Sequence, residues 1–302
     1  NMHSIAFYNV ENLFEPFSDL SLTRDKKWTV KRYLEKLNNI GYTLFEIGKA
    51  ETDKHPTIIG LAEVENETVL EDLIQSAPLK GCNYNYVFYK SRDERGINIS
   101  LLYDSGYFKV ESSKPYSFEL KNAFGKTEYT RDILLISGFL NTEKIYLLVN
   151  HWPSKRENDK ETEYKRLAAS HKVSEILTSI ITKDKSARII VLGDFNDNPT
   201  SKSVKRLVNQ HKLQNPFEAL RSFSRGSTIH NKQWHLFDQI LLTTSFFNVE
   251  KNSLSFNSAN IFDAAFLKNS EGKHKGSPNR TFQGNRYHGG YSDHFPVYIV
   301  LG

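Results

Sequence analysis

The sequence predicts one α+β domain over residues 1–302, and three observations carry that prediction. Strand-length apolar runs alternate with stretches of helical periodicity from one end of the chain to the other. No internal repeat, low-complexity linker or composition shift marks a boundary, and a chain of this length fits one large domain. Twenty Phe and fifteen Tyr against a single Met point to a rigidly packed, strand-rich core.

Taken in order, Ser4 to Val10 forms the first expected strand, with Asn9 near its end, and Asn12 to Asp25 is irregular. From Trp28 to Lys49 the apolar positions Val30, Tyr33, Leu34, Leu37, Ile40, Leu44 and Ile47 recur at three and four, the spacing of an amphipathic helix with Lys and Arg outside. Thr57 to Glu63 is a second strand, followed by a short helix with Val69, Leu70, Leu73 and Ile74 inward. Tyr84 to Tyr89 and Ile97 to Tyr103 are two strands joined across the polar run Ser91–Gly96, as in a hairpin. Thr130 to Leu140 and Ile145 to Asn150 repeat that pattern, and the latter runs into His151-Trp152-Pro153. Glu157 to Thr182 is a long helix, and a shorter one covers Ser203 to Val208. Phe237 to Leu242 and Val297 to Val300 are strands, and Lys268 to Gly290 is a long surface loop rich in Gly, Asn, Lys and Arg.

Composition narrows the function classes. The net charge of +5 and pI near 9.0 permit a polyanionic partner, but no Lys/Arg block forms a nucleic-acid arm. Cys82 is the only cysteine, which excludes a disulfide framework and a cysteine-rich zinc site. No apolar run approaches the ~18–20 residues of a membrane span. A strand begins directly after Asn1-Met2-His3, so no signal peptide is expected within the chain. That leaves a soluble protein, cytoplasmic or secreted after removal of a leader, with a monomer as the simplest assembly and no obligate protein partner.

The stretch Ile189-Ile190-Val191-Leu192-Gly193-Asp194-Phe195-Asn196-Asp197 organises the rest. Its apolar run is a buried strand, Gly193 lets the backbone turn away, and Asp194 and Asn196, two apart, share a face in extended backbone. Alone, this is either a site or an ordinary Asp/Asn turn. Similar polar residues end other apolar runs: Asn9, Glu63, His151, Asp238, Asp293 and His294. Each has a bland role available, such as a turn cap for Asn9 or a helix first-turn acid for Glu63. Together they form a coherent kit. Oxygen donors without cysteine suit Mg²⁺ or Mn²⁺. Two histidines and a spare carboxylate supply acid–base chemistry near neutral pH. Phosphodiester hydrolysis needs that combination.

Phe7-Tyr8-Asn9-Val10-Glu11-Asn12, Leu61-Ala62-Glu63-Val64, Asn150-His151-Trp152, Gly193-Asp194-Phe195-Asn196 and Ser292-Asp293-His294-Phe295-Pro296-Val297 resemble, in order and over nearly the whole chain, motifs of the endonuclease/exonuclease/phosphatase superfamily, the group around pancreatic deoxyribonuclease. The resemblance implies a four-layer α/β/β/α sandwich of two mostly antiparallel sheets flanked by helices, with a cleft at one edge as the active site. It implies Asn9, Glu63 and Asp293 as metal residues for Mg²⁺ or Mn²⁺, with Ca²⁺ as a supporting ion. It implies Asp194 and Asn196 as the pair that positions water and phosphate, His294 oriented by Asp238 as base, and His151 as acid on the leaving-group side.

Arg95 and Arg131, with Arg92 less favoured, are expected near the cleft rim as phosphate-binding groups, and Trp152 and Tyr287 as stacking surfaces for a base or sugar. The expected substrate is a phosphodiester, with a nuclease acting on DNA or RNA ahead of a phosphoinositide phosphatase or sphingomyelinase-like enzyme. A catalytically idle binding module of the same fold is the other class. It has no need to keep all eight residues together.

Overall fold

The computed structural model describes residues 1–24, 27–122, 124–155, 158–248 and 252–302. The strands are β1 (His3–Leu13), β2 (Ile58–Val64), β3 (Tyr84–Phe88), β4 (Asn98–Asp104), β5 (Phe108–Tyr116), β6 (Glu119–Lys121), β7 (Thr127–Tyr129), β8 (Ile133–Leu140), β9 (Glu143–His151), β10 (Ile189–Asp194), β11 (Thr228–His230), β12 (Gln233–His235), β13 (Asp238–Leu242), β14 (Phe256–Ile261), β15 (Phe282–Gln283), β16 (Arg286–Tyr287) and β17 (Val297–Leu301). The helices are α1 (Asp19–Arg24), α2 (Val30–Glu46), α3 (Lys49–Thr52), α4 (Glu67–Ile74), α5 (Asp159–Lys183) and α6 (Lys202–His211).

Two sheets dominate. One runs β14-β17-β1-β2-β4-β3, the other β13-β10-β9-β8-β5. Each contains one parallel pair, β1 with β2 and β9 with β10, and is otherwise antiparallel. The alternation of strand side chains sorts the apolar residues into three layers. Ile5 and Phe7 of β1 meet Val149, Leu192 and Ile240 of the other sheet in a central core. Ala6 and Tyr8, facing the opposite way, pack under Leu37, Ile40 and Leu44 of α2 and Leu70 and Leu73 of α4. Leu148 and Val191 face Val173, Ile176 and Leu177 of α5 and Leu207 of α6. Full burial of each such side chain contributes about 1.5–3 kcal/mol. The expected four-layer sandwich is therefore present. No helix among the described residues is long and apolar enough to cross a membrane.

Local sequence explains the starts of two helices. The side chains of Thr29 and Asn66 accept hydrogen bonds from the backbone N–H of Arg32 and Val69, capping α2 and α4. Several expectations need correction. The segment expected to be irregular from Asn12 holds the end of β1 and helix α1. On α2, Val30 and Leu34 are exposed while Lys36 is buried, because the inward row is Tyr33, Leu37, Ile40 and Leu44. The expected start of α5 at Glu157 lies outside the described residues. Strands β5 and β14 escaped notice because their mixed polar sequences, FKVESSKPY and FNSANI, carry little alternation. The expected Lys268–Gly290 loop contains the short hairpin β15–β16.

The parallel pairs matter most for function. They bring the carboxyl ends of β1 and β2 side by side, with Asn9 in register with Ala62. In the second sheet Asp194 is in register with His151 on one neighbour and with Asp238 on the other. Register neighbours project to the same face, so His151, Asp194 and Asp238 form one row at the edge where both sheets end.

Candidate active site

Asp194, 1% exposed, sits at the centre of that edge. Its Oδ1 accepts the backbone N–H of Asn196 at 3.0 Å, an Asx turn, and its Oδ2 accepts Asn9 Nδ2 at 3.0 Å. His151 Nε2 lies 3.6 Å and His294 Nε2 3.8 Å from the same Oδ2. The two readings of this motif thus coexist, since the turn shapes one carboxylate oxygen and leaves the other facing the cluster. Asn196 is not extended. Its φ is +48°, and its side chain turns to donate to the Trp152 carbonyl at 2.7 Å. Gly193 has a different purpose from the expected turn. It lies within β10, where a Cβ would stand 2.7 Å from the Asn150 Cβ on β9.

Asn9 Nδ2 also reaches Glu63 Oε1 at 3.4 Å, and the Asn12 N–H donates to Glu63 Oε2 at 2.9 Å. Glu11, Asn12 and Glu63 all adopt positive φ, a conformation that costs free energy in non-glycine residues and concentrates at functional sites. On the other side His294 Nδ1 is 2.7 Å from Asp238 Oδ2, which also accepts Ser227 Oγ at 2.6 Å. The dyad fixes the ring so that Nε2 faces Asp194.

Asp293 joins the cluster through residues that sequence reasoning missed. Arg280 contacts Glu11 Oε1 at 3.1 Å and Asp293 Oδ2 at 3.4 Å. Glu11 accepts the Thr281 N–H. Lys36, 2% exposed, donates to the Glu11 carbonyl and Thr281 Oγ1, each at 2.6 Å. Glu11 stood inside the quoted first motif, and Lys36 could be found by noting that it precedes Leu37 and lies four residues before Ile40. Arg280 carried no local signal. Behind the Asp194 loop, Asp197 pairs with Lys155 at 2.8 Å and with the buried Arg166 at 3.0 Å, tying the loop to α5.

Of the expected rim groups, Arg95 and Arg131 line a cavity beside Pro153. Arg131 is 5% exposed and pairs with Asp93 at 3.3 Å. Trp152 is not at a rim. It is 1% exposed, its indole N–H donates to Asn150 Oδ1 at 3.1 Å, and Phe195 meets it edge-on. Tyr287 sits between Arg32 and Phe282 and donates to Glu35, which anchors β16 on α2. Trp152 offers no open stacking face, and Arg32 covers one face of Tyr287. The fully exposed aromatics are Phe124 and Phe223 instead.

Charge dominates the site. Glu11, Glu63, Asp194, Asp238 and Asp293 face Lys36, Arg280 and His294. Burial, then Asp238, pushes Asp194 up to about 7. Burial, then Asp293, pushes Glu11 up to about 7. Burial would lower His294, but Asp238 and Asp194 outweigh it and hold the imidazole well above its ordinary value. Burial also draws Asp293 upward, but His294, Arg280 and Lys36 outweigh it and leave that carboxyl below its ordinary value. The carboxylates outnumber the cations by two, the charge of one divalent ion. Among the described residues Asp238 Oδ1 and Asp293 Oδ1 are buried without a hydrogen-bond partner, and Asp194, Asp238 and His294 each offer a ligand atom within 4.8 Å of the others. This oxygen-rich donor set fits a hard divalent cation.

These shifts give a pH prediction. Asp194, Glu11 and His294 all bind protons more tightly folded than unfolded, so the stability they contribute is lost as pH rises through their folded values. His3 and His235, lowered to about 4 by burial, act oppositely, but only below about 6.5. Lys36, lowered to about 8, opposes the trend only above that. The metal-free protein should therefore melt lower at pH 8 than at pH 6.5, by about 2 °C per proton and pH unit, and Mg²⁺ should flatten the slope. A calorimetric melting series with EDTA tests this, and a melting temperature that rises across the window refutes it.

The sequence profile described as "Endonuclease/Exonuclease/phosphatase family" matches residues 4–302. Among curated proteins none matches the chain. Solved structures of similar fold include a mannosyl-6-phosphatase from Bacteroides thetaiotaomicron VPI-5482, at 14% identity over 99% of both chains with a TM-score of 0.59. The human Nocturnin catalytic domain with bound sulfate aligns at 16% identity over 100% of this chain and 94% of that one, TM-score 0.59. D. rerio TDP2 complexed with single-strand DNA product aligns at 16% identity over 100% and 99%, TM-score 0.59. At such identities these likenesses establish the fold.

Proposed function

Because this chain belongs to the endonuclease/exonuclease/phosphatase family, we propose that it is a divalent-metal-dependent phosphoesterase and that its substrate is a nucleic-acid strand. The observation that carries the chemistry is the single cluster in which Asn9 touches both Glu63 and Asp194 while the Asp238–His294 dyad faces Asp194 from the other side. Glu63 and Asp293, with Asn9, would hold Mg²⁺ or Mn²⁺. The ion would offset phosphate charge in the pentavalent transition state.

In this reading Asp194 takes the proton of the attacking water. Its carboxyl, at about 7, is basic enough to do so near neutral pH, and Asn9 and Asn196 fix its orientation. His294, held protonated by Asp238 and Asp194, donates to a phosphoryl oxygen. This differs from the sequence-based expectation of His294 as base, because a ring held protonated has no free lone pair at Nε2 to offer. His151, on the opposite side of Asp194, serves the leaving oxygen.

The nucleic-acid substrate is supported by the basic charge balance and by exposed Lys273, Lys275 and Arg286 on the segment leading to Asp293. Phe223 supports it too, as a fully exposed ring four residues before the Ser227 that holds Asp238. Four residues of chain reach at most about 14 Å, and an open aromatic face stacks any base. A second reading, a phosphomonoesterase of a small polar molecule such as an inositol phosphate, is favoured by the cavity that Arg95, Arg131 and Lys165 line.

Hydrolysis of bis-p-nitrophenyl phosphate should require Mg²⁺ or Mn²⁺ and stop on addition of EDTA. No metal-dependent turnover at any pH from 6 to 9 overturns the enzyme reading. With plasmid DNA, RNA, a phosphoinositide headgroup and sphingomyelin as substrates, turnover confined to the last two overturns the choice of nucleic acid.

A further inference from the structure

Two buried groups play no part in the chemistry proposed above: Lys36, 2% exposed, and Glu11, 5% exposed. Lys36 Nζ donates to three oxygens, the Glu11 carbonyl at 2.6 Å, Thr281 Oγ1 at 2.6 Å and the Tyr291 carbonyl at 3.3 Å. An ammonium has three protons to give, so one cation from α2 binds three segments at once: the end of β1, the approach to β15 and the approach to β17. The two loop segments also close on each other. The Tyr291 N–H donates to the Asn279 carbonyl at 2.6 Å, and a Cβ on Gly290 would stand 2.6 Å from the Arg280 carbonyl oxygen. Asn39 Nδ2, further along α2, donates to the Gly289 and Gly290 carbonyls. The backbone that carries Arg280 is therefore fixed from both sides.

That backbone aims one side chain. Arg280 Nε and Nη2 donate to Glu11 Oε1 at 3.2 and 3.1 Å, and Nη2 also reaches Asp293 Oδ2 at 3.4 Å. Glu11 is itself held, since its Oε2 accepts the Thr281 N–H at 3.2 Å. The backbone around Asp293 is held as well. Its carbonyl accepts Thr228 Oγ1 at 2.8 Å, and Ser292 Oγ donates to the Asn9 carbonyl at 2.6 Å. What remains to be set is the rotation of the Asp293 carboxylate. Arg280 engages Oδ2, and Oδ1 is left buried with no hydrogen-bond partner among the described residues. Buried polar atoms in folded proteins are almost always satisfied, so Oδ1 is presented to something outside the chain.

We propose that Arg280 is a positioning residue for the metal centre, turning Asp293 so that Oδ1 is its ligand atom. The proposal rests on the metal-dependent reading of the site. Partners that orient a ligating group typically change metal affinity by about 10–100-fold when removed. The charge of Arg280 would act the other way, because a cation beside the site repels a divalent ion. Geometry and charge therefore predict opposite results. Lysine keeps the charge but offers a single ammonium in place of the planar fork, so it does not reproduce the contact that joins Glu11 to Asp293.

The test is Mn²⁺ binding by the full chain without substrate, read from the electron paramagnetic resonance signal of free Mn²⁺. The Arg280 side chain is 38% exposed, and Arg280→Lys and Arg280→Met both keep its apolar stem. Each variant should raise the Mn²⁺ dissociation constant at least about ten-fold. Binding by Arg280→Lys within about two-fold of wild type overturns the positioning role and leaves the phosphoesterase reading standing. Binding by Arg280→Met that is tighter than wild type does the same, since it shows charge outweighing geometry. If the wild type binds no Mn²⁺, the metal-dependent reading fails and takes the positioning role with it. If the wild type binds Mn²⁺, both variants weaken it and bis-p-nitrophenyl phosphate is not hydrolysed, the positioning role stands and the phosphoesterase reading alone fails.

Discussion

Asp194→Ala and His294→Ala should each lower metal-dependent turnover of bis-p-nitrophenyl phosphate by at least about 10²-fold, with the circular dichroism spectrum unchanged. Asp194 is the one carboxylate that touches both halves of the site, accepting Asn9 from one sheet and lying within 4 Å of both histidines. Removing it deletes the proposed proton acceptor and the charge that helps hold His294 protonated. Removing His294 deletes the donor to the phosphoryl group. Neither change should unfold the protein. Burial already works against the Asp194 carboxylate, which is why its carboxyl is pushed up to about 7, so Asp194→Ala should melt no lower than wild type at pH 8. The measurements are steady-state turnover at saturating Mg²⁺ and a thermal melt. Turnover within ten-fold of wild type for either variant would remove that residue from the mechanism.

Gly193→Ala should damage stability and turnover together. The added Cβ would stand 2.7 Å from the Asn150 Cβ and 2.8 Å from its carbonyl carbon, and closer still to its carbonyl oxygen. Asn150 cannot yield, because its side chain donates to the Leu148 carbonyl at 3.0 Å and accepts the Trp152 indole at 3.1 Å. The strain falls between β9 and β10, where overpacking costs about 1–3 kcal/mol, equivalent to about 2–5 °C in a chain of this size. Because His151 and Asp194 are register partners on those strands, turnover should fall together with stability. A variant that melts within 1 °C of wild type and turns over at the same rate would show that the strands separate freely there.

The sequence made some of this legible and hid the rest for physical reasons. Asn9, Glu63, Asp194, Asp238 and His294 were visible because each polar residue interrupts or ends an apolar run, and the sheets then gather those ends. The same logic could not reveal Arg280 or Lys36, which are placed by tertiary contacts such as Arg280 with Glu11 and Lys36 with Thr281, each across more than two hundred residues. Trp152 was misplaced because aromatic residues beside a catalytic motif look alike whether they face solvent or core. Its burial follows from the indole hydrogen bond to Asn150 two residues earlier, which local sequence cannot announce. Gly193 was noticed, but for the wrong reason. Turning and close approach leave the same letter in the sequence, and only the neighbouring strand tells them apart.

The order of strands in the larger sheet has a consequence for synthesis. β17, Val297–Leu301, lies between β1 and β14 rather than at an edge, and His294 and Asp293 immediately precede it. A chain shortened before Val297 would expose the backbone of β1 and β14 to solvent and to other chains. It would also leave the His294–Asp238 contact without its anchor. On the proposed mechanism, hydrolysis therefore depends on β17, and a chain that has not yet paired that strand lacks a fixed His294–Asp238 dyad.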